Sequence, residues 1–270
     1  MNNTHNLQLG MPTLIALPDL QANVDLCRQL GLGFVELNMD LPAYQPKSLP
    51  VEEIIDIRRR YGVDFTLHMP ERLDVGCFHE DVREGYIACA LAIIDWAGKA
   101  GISKINMHMS RGVYFTLPEG KVWLYEKHRE LYLANLRSSM DKMMAAAQRA
   151  NMTVLIENTG NFSLCFMQEA IEDLLVRYKG RVGLTWDTGH DAEVGYSDSP
   201  FIRRHVDSLR HMHLHDFDGK SAHQPLLTGS VDVPAFLNLA RQRSVSVVLE
   251  TKTPAALTTS VQNLRSARLI

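Results

Sequence analysis

The sequence predicts an α/β protein of one domain, residues 1–270, closed into a (β/α)8 barrel. Three observations carry that expectation. Short apolar runs alternate with longer amphipathic stretches from near residue 7 to the end, the pattern of a parallel sheet with crossover helices. The runs number eight, and 270 residues is an ordinary length for one such barrel. No long Pro/Gly linker or low-complexity segment divides the chain. An open doubly wound sheet is the runner-up. No G-x-G-x-x-G follows the first run, however, and no G-x-x-x-x-G-K-S/T occurs anywhere.

In chain order the strands are expected at 7–11, 33–37, 63–67, 102–107, 152–156, 182–186, 209–214 and 245–249. Helical stretches fall between them at 20–30, 51–61, 82–100, 123–150, 167–178, 233–241 and 255–267. Glycines close several helices just before a buried strand, as in Leu30-Gly31-Leu32-Gly33, Tyr61-Gly62-Val63 and Ala100-Gly101-Ile102. Met140, Met143 and Met144 stand at helical spacing and read as core.

Composition narrows the function classes. Apolar types make up 46% and charged types 22%, which excludes a disordered chain, a coiled coil and a mainly membrane-embedded protein. Lys plus Arg total 28 against 31 Asp plus Glu, a formal charge of −3, so the basic surplus of a general nucleic-acid binder is missing. Cys27, Cys77, Cys89 and Cys165 are scattered, which reads as a reduced protein without a disulfide frame or a cysteine zinc site. Residues 1–6 are polar and lack an apolar signal core. No run approaches the ~20 apolar residues that cross a bilayer. The expected compartment is the cytoplasm, with no membrane partner.

The chemistry lies at the strand ends, which converge on one site in such a barrel. Six of the eight runs deliver a His, Asp or Glu directly after apolar residues: His68, His108, Glu157, Asp187, the His211-Met212-His213-Leu214-His215-Asp216 segment, and Glu250. Burying so many carboxylates and imidazoles together is costly unless something pairs with them. A divalent metal ion is the economical partner, since imidazole nitrogen and carboxylate oxygen suit Zn, Mn and related ions. His211, His213 and His215 share a strand face, so not all three are ligands. His213 is taken as one, with the others supporting it or solvated. His5, His79, His128 and His205 read as surface residues.

These motifs resemble the xylose isomerase-like TIM barrels, a superfamily of sugar and sugar-phosphate isomerases and epimerases, inosose isomerases and dehydratases, and endonuclease IV-type AP endonucleases. The resemblance rests on Leu155-Ile156-Glu157-Asn158-Thr159, Asp187-Thr188-Gly189-His190, His211 through Asp216, and Val248-Leu249-Glu250-Thr251. It covers nearly the whole chain. In the epimerase-like members it implies one divalent metal (Mn, Zn, Mg or Co) held by Glu157, Asp187, His213 and Glu250. Glu157 and Glu250 then exchange protons with a small polyhydroxylated substrate (a sugar, sugar phosphate or inosose), and His190 contacts it. The endonuclease-like members use a three-zinc cluster that adds matches for His68, His108, His190 and His223. They also use an Asp where this chain has Ser221, which removes one bridging carboxylate.

Charge separates these alternatives further. The loop 69–85 carries Glu71, Asp74, Glu80, Asp81 and Glu84 against Arg72 and Arg83, and the loop 190–199 carries Asp191, Glu193 and Asp198. That acidic rim disfavours a DNA backbone. His68 and His108 are expected to contact substrate, to hold a second metal, or to pair with carboxylates. Lys252 shares a strand face with Glu250 if the strand continues, and is a candidate contact for a phosphate or carboxylate. Trp186 and Phe162 are candidate walls for a sugar. The reading is a metal-dependent sugar isomerase or epimerase. The alternatives are an endonuclease IV-like zinc phosphodiesterase on abasic DNA, a sugar dehydratase on the same site, and a catalytically silent barrel. An oligomer is compatible with the exposed helices.

Overall fold

Leu9 pairs with Val247 on one side of β1 (Leu9–Pro12), and Gly10 pairs with Phe34 on the other. The first strand is therefore hydrogen-bonded on both edges. The computed structural model describes residues 7–270; His5 and the polar segment 1–6 lie outside the described residues. Going round the barrel, β1 is followed by β2 (Phe34–Asn38), β3 (Asp64–His68), β4 (Lys104–His108), β7 (Thr153–Glu157), β8 (Val182–Asp187), β9 (Leu209–Leu214) and β10 (Ser246–Leu249). Every neighbouring pair is parallel. The expected barrel is closed, and the open sheet is set aside.

The strand sequences suit burial on both faces. All six residues of β8, Val182-Gly183-Leu184-Thr185-Trp186-Asp187, are buried, because helices cover one face and the barrel interior the other. Local chemistry sets the helix ends. Asp19 caps α1 (Leu20–Gln29) by accepting from the Ala22 N–H. Gly62, in the left-handed region at φ 67°, closes α2 (Val51–Tyr61) and turns the chain into β3. The long helix α3 (Glu80–Lys99) packs against α5 (Arg129–Arg149), whose Met140, Met143 and Met144 are buried as expected of core.

Two segments depart from the sequence reading. The single helix expected over 123–150 is interrupted. A hairpin of β5 (Tyr114–Leu117) and β6 (Gly120–Trp123) runs into the short α4 (Leu124–Lys127), and His128, at φ −114° and ψ 44°, breaks the helix before α5. Pro118-Glu119 supplies the tight turn of the hairpin, and Gly120 takes φ 136°. The expected loop over 190–199 is partly helical, because the Asp187 carboxylate accepts the His190 N–H and starts α7 (Thr188–Glu193). After it come α8 (Ser199–Arg204) and β9; α6 (Cys165–Arg177), α9 (Val233–Arg243) and α10 (Pro254–Ser266) complete the outer layer.

One buried carboxylate holds a long loop at the mouth of the barrel. Asp216, just past β9, accepts the backbone N–H groups of Phe217 (2.9 Å), Thr228 (3.1 Å), Gly229 (2.8 Å) and Val231 (3.0 Å). The loop that carries His223 is thus folded back onto the strand end. Gly229 is required there, since a Cβ would collide with Phe217 O and Asp216 Oδ1. Asp216→Ala orphans these donors, at about 1–3 kcal/mol for each one left buried. Urea unfolding of that variant should show a stability loss of about 3 kcal/mol or more, whereas a loss under about 0.5 kcal/mol would remove Asp216 as the organiser of the loop.

Candidate metal centre

Four side chains from consecutive barrel positions meet at the C-terminal mouth: Glu157 at the end of β7, Asp187 at the end of β8, His213 in β9, and Glu250 just past β10. The Nδ1 atom of His213 lies 3.0 Å from Glu157 Oε1, 3.1 Å from Glu250 Oε2 and 4.0 Å from Asp187 Oδ2. Burial opposes charge on each group, and the neighbours override it. The His213 ring holds Glu157 and Glu250 well below the usual carboxylate range. Glu157, Glu36 and Glu250 in turn hold His213 well above the usual imidazole range.

Two buried carboxylates, Glu157 and Asp187, and the half-buried Glu250 around one nitrogen form a cation cradle. One donor atom from each of the four residues lies within 4.8 Å of the others. Ligands about 2.0–2.2 Å from a tetrahedral ion stand ~3.3–3.6 Å apart, within the span of the observed contacts. Glu250 Oε2 is buried without a hydrogen-bond partner, an acceptor that a cation would satisfy. The donor set fits a divalent metal ion.

Neighbouring groups fix the aim of Glu157 and Asp187. The Asn158 side chain accepts from Asp187 N–H (2.7 Å) and donates to Asp187 O (3.0 Å), tying the ends of β7 and β8 together. Asn106 donates to Glu157 Oε2. His215 is buried and stands 2.9 Å from Asp187 Oδ1 through Nε2, while its Nδ1 accepts the His223 N–H at 2.8 Å. His211 is equally buried, so neither flanking histidine of β9 is solvated. Gly189 makes room for this arrangement, because a Cβ there would overlap the His215 ring.

The remaining candidates surround a cavity of about 450 Å³. His68 donates from Nδ1 to Met69 O at 2.7 Å, which turns its Nε2 to Glu157 Oε2 at 3.3 Å; His108 Nε2 is 3.5 Å from the same oxygen. Burial works to lower the His68 ring, and Glu157 overrides it, to about 9. His190 Nδ1 lies 3.1 Å from Asp187 Oδ2, and that carboxylate likewise overrides burial and lifts the ring to about 9. Burial pushes His223 down to about 4, and its Nδ1 sits 3.2 Å from Glu250 O. A wider depression of about 1320 Å³ opens at the other end of the barrel around Leu7, Gly33 and Lys104; the titratable cluster lies in the smaller one.

Several expectations need correction. β10 ends at Leu249, so Lys252 does not continue a strand face. It folds back, its Nζ pairing with Glu250 Oε1 at 2.8 Å at the cavity edge. The acidic rim shrinks to Glu71 and Glu193, which line the cavity. Asp191 is buried among Trp186, Asp198 and Ser199, Asp74 accepts from Tyr125, and Glu84 pairs with Lys142. Trp186 and Phe162 are fully buried against Phe236 and Phe201 and do not wall the cavity. Ser221 is exposed. The reading of strand ends did not anticipate Glu36, which sits mid-strand in β2 with Oε1 2.7 Å from His213 Nε2. A lone charge inside the apolar run Phe34-Val35-Glu36-Leu37 was the available signal.

Comparison with known proteins agrees with this architecture. No curated protein matches the chain in sequence. Among solved structures, a D-tagatose 3-epimerase-like protein superposes with a TM-score of 0.76 at 19% identity, covering 97% of both chains. The 3-keto-D-glucoside 4-epimerase YcjR of E. coli gives 0.75 at 17% identity, covering 97% of this chain and 100% of the other. The IOLI protein with a binding zinc atom gives 0.71 at 14% identity, over 97% of each. The family model described as xylose isomerase-like TIM barrel matches residues 24–267, and the chain belongs to that family.

Proposed function

We propose that the protein is a metal-dependent isomerase or epimerase acting on a small, uncharged polyhydroxylated carbonyl compound. The observation that carries this reading is the pairing of the buried Glu157 and the half-buried Glu250, two carboxylates about one nitrogen at the floor of a cavity of sugar size. A divalent cation held by Glu157, Asp187, His213 and Glu250 would supply Lewis-acid polarisation of the substrate carbonyl. The sugar epimerases among the structural neighbours support the same substrate class.

The chain's own residues supply the proton chemistry. One of the two glutamates takes the proton from the carbon next to the carbonyl, leaving an enediolate. The other returns a proton, to the opposite face of that carbon in an epimerisation or to the neighbouring carbon in an isomerisation. Asp187 keeps His190 at the cavity wall, where its ring can donate to a substrate hydroxyl. His68 and His108 crowd Glu157 Oε2 and favour its charged form.

Charge selects the substrate. Lys252 is the one Lys or Arg side chain lining the cavity among the described residues, and Glu250 already holds it. A DNA backbone or a phosphorylated sugar finds no free cation there, which favours a neutral polyol over abasic DNA.

Ketoses and inososes incubated with the protein in D2O should take up deuterium beside the carbonyl. Exchange accompanied by loss of a β-hydroxyl would mark a dehydratase, and no exchange with any of them would mark a silent barrel. Glu157→Gln should lower the exchange rate by about 10²–10⁴-fold at saturating metal while retaining the folded circular dichroism spectrum. Near-normal exchange in that variant sinks the acid/base assignment.

Chelation should abolish turnover, and added Mn, Zn, Mg or Co should restore it. The effective ion at 100 times its Kd should also stabilise the fold by about 2.7 kcal/mol. A melting temperature indifferent to every one of these ions counts against the metal. Three tightly bound zinc ions per chain would instead favour the phosphodiesterase.

A further inference from the structure

A hydrogen-bonded array crosses the barrel interior from Lys104, at the N-terminal end of β4, to the buried ring of His213. Lys104 Nζ donates to Ser246 Oγ at 2.7 Å. Ser246 Oγ is also 2.7 Å from His211 Nδ1, and His211 Nε2 is 3.1 Å from Glu36 Oε2. Thr66 Oγ1 donates to that same oxygen at 3.0 Å. The other oxygen, Glu36 Oε1, lies 2.7 Å from His213 Nε2.

The proton positions along this array follow from one fact: an ammonium group donates and cannot accept. Ser246 Oγ therefore accepts from Lys104 and turns its own hydrogen to His211 Nδ1, the Arg210 carbonyl at 3.5 Å being the weaker acceptor. An accepting Nδ1 places the His211 proton on Nε2, aimed at Glu36. Glu36 is then a carboxylate facing donors on both oxygens. Its contact with His213 Nε2 is bent away from the ring N–H axis, since that nitrogen makes no well-aligned hydrogen bond. At 2.7 Å it still requires a proton on Nε2, because two lone pairs at that separation repel, and by the same rule Nδ1 carries a proton toward Glu157 Oε1 at 3.0 Å until a cation takes its place.

We infer that Glu36 is the positioning residue of the metal centre, retaining the Nε2 proton of His213 so that Nδ1, the nitrogen facing Glu157, Asp187 and Glu250, is the one left to bind a cation. Lys104, Ser246 and His211 form its backing. The inference rests on the metal reading above. Glu36, His211 and Ser246 are all buried, so the carboxylate has no aqueous alternative to these partners. Such a carboxylate behind a metal-binding imidazole fixes its tautomer and raises its basicity, and its loss weakens metal affinity about 10–100-fold.

The test is zinc affinity, measured by competition with a chromophoric chelator, for the metal-free wild type, Glu36→Gln, Glu36→Asp and Ser246→Ala. Imidazole 15N spectra of the zinc-loaded proteins accompany it. Glu36→Gln should bind zinc about 10–100-fold more weakly and lose the protected Nε2 proton of His213. Glu36→Asp should recover part of the affinity, and Ser246→Ala should shift it in the same direction by less. A folded Glu36→Gln that binds zinc within about two-fold of wild type and keeps that proton overturns the inference. If Glu36→Gln does not fold, unchanged affinity in Ser246→Ala overturns it. A wild-type protein that binds no zinc sinks the metal reading, and this inference with it. Equal zinc binding by wild type and variant removes this inference alone.

Discussion

The structure is organised around the convergence of Glu157, Asp187 and Glu250 on the Nδ1 atom of His213. Three like charges in a buried space repel and lose their hydration, and either effect alone would drive them to protonate or to turn away. They do neither, because each is pinned from behind. Asn106 holds Glu157, Asn158 ties the backbone of Asp187 to the end of β7, and Lys252 holds one oxygen of Glu250. Removing one partner of such a set leaves an uncompensated buried charge, which is more damaging than losing the whole set.

The barrel interior is built to suit. Inward positions that usually carry aliphatic layers here carry Glu36, Thr66, Asn106, Thr185, His211 and Ser246, all buried. Hydrophobic packing is displaced to the outer face of the strands, where Met140, Phe166 and Leu257 of the helices fill the core. Asp187 shows how closely site and scaffold are joined. Its Oδ1 accepts the His190 N–H that starts α7 and faces His215, so the carboxylate is a helix cap and a candidate ligand at once.

Much of this was legible in the sequence. Strand ends betray themselves as apolar runs that stop on His, Asp or Glu, and Glu157, Asp187 and Glu250 all follow that rule, with His213 one step inside. Glu36 broke the rule by sitting two residues before the end of β2, where an inward position reads as core. The hairpin of β5 and β6 lies almost wholly in a stretch to which the sequence pattern assigned no element, and its β5 residues, Tyr114, Phe115 and Leu117 among them, are all exposed, so no alternation of burial marks it as strand. The acidic rim lost two of its members for a different reason. A carboxylate on a loop counts as surface charge in a sequence, yet Asp191 and Asp198 are buried and serve as acceptors for backbone and side-chain donors.

Ser221 gains its meaning from the same bookkeeping of donors and acceptors. His190, His215 and His223 cluster beside the central site, and in number they match what a further cation would require. His215, however, has both ring nitrogens engaged, one accepting from the His223 N–H and the other facing Asp187. With a serine exposed at 221, no carboxylate belongs to this cluster among the described residues apart from Asp187 and Glu250, which the central site already uses. A second dication placed among three imidazoles would lack the negative charge that the central site provides three times over. On the function proposed above, the local charge balance favours one cation beneath a neutral substrate, with His190 and His223, which line the cavity, left to face its hydroxyl groups.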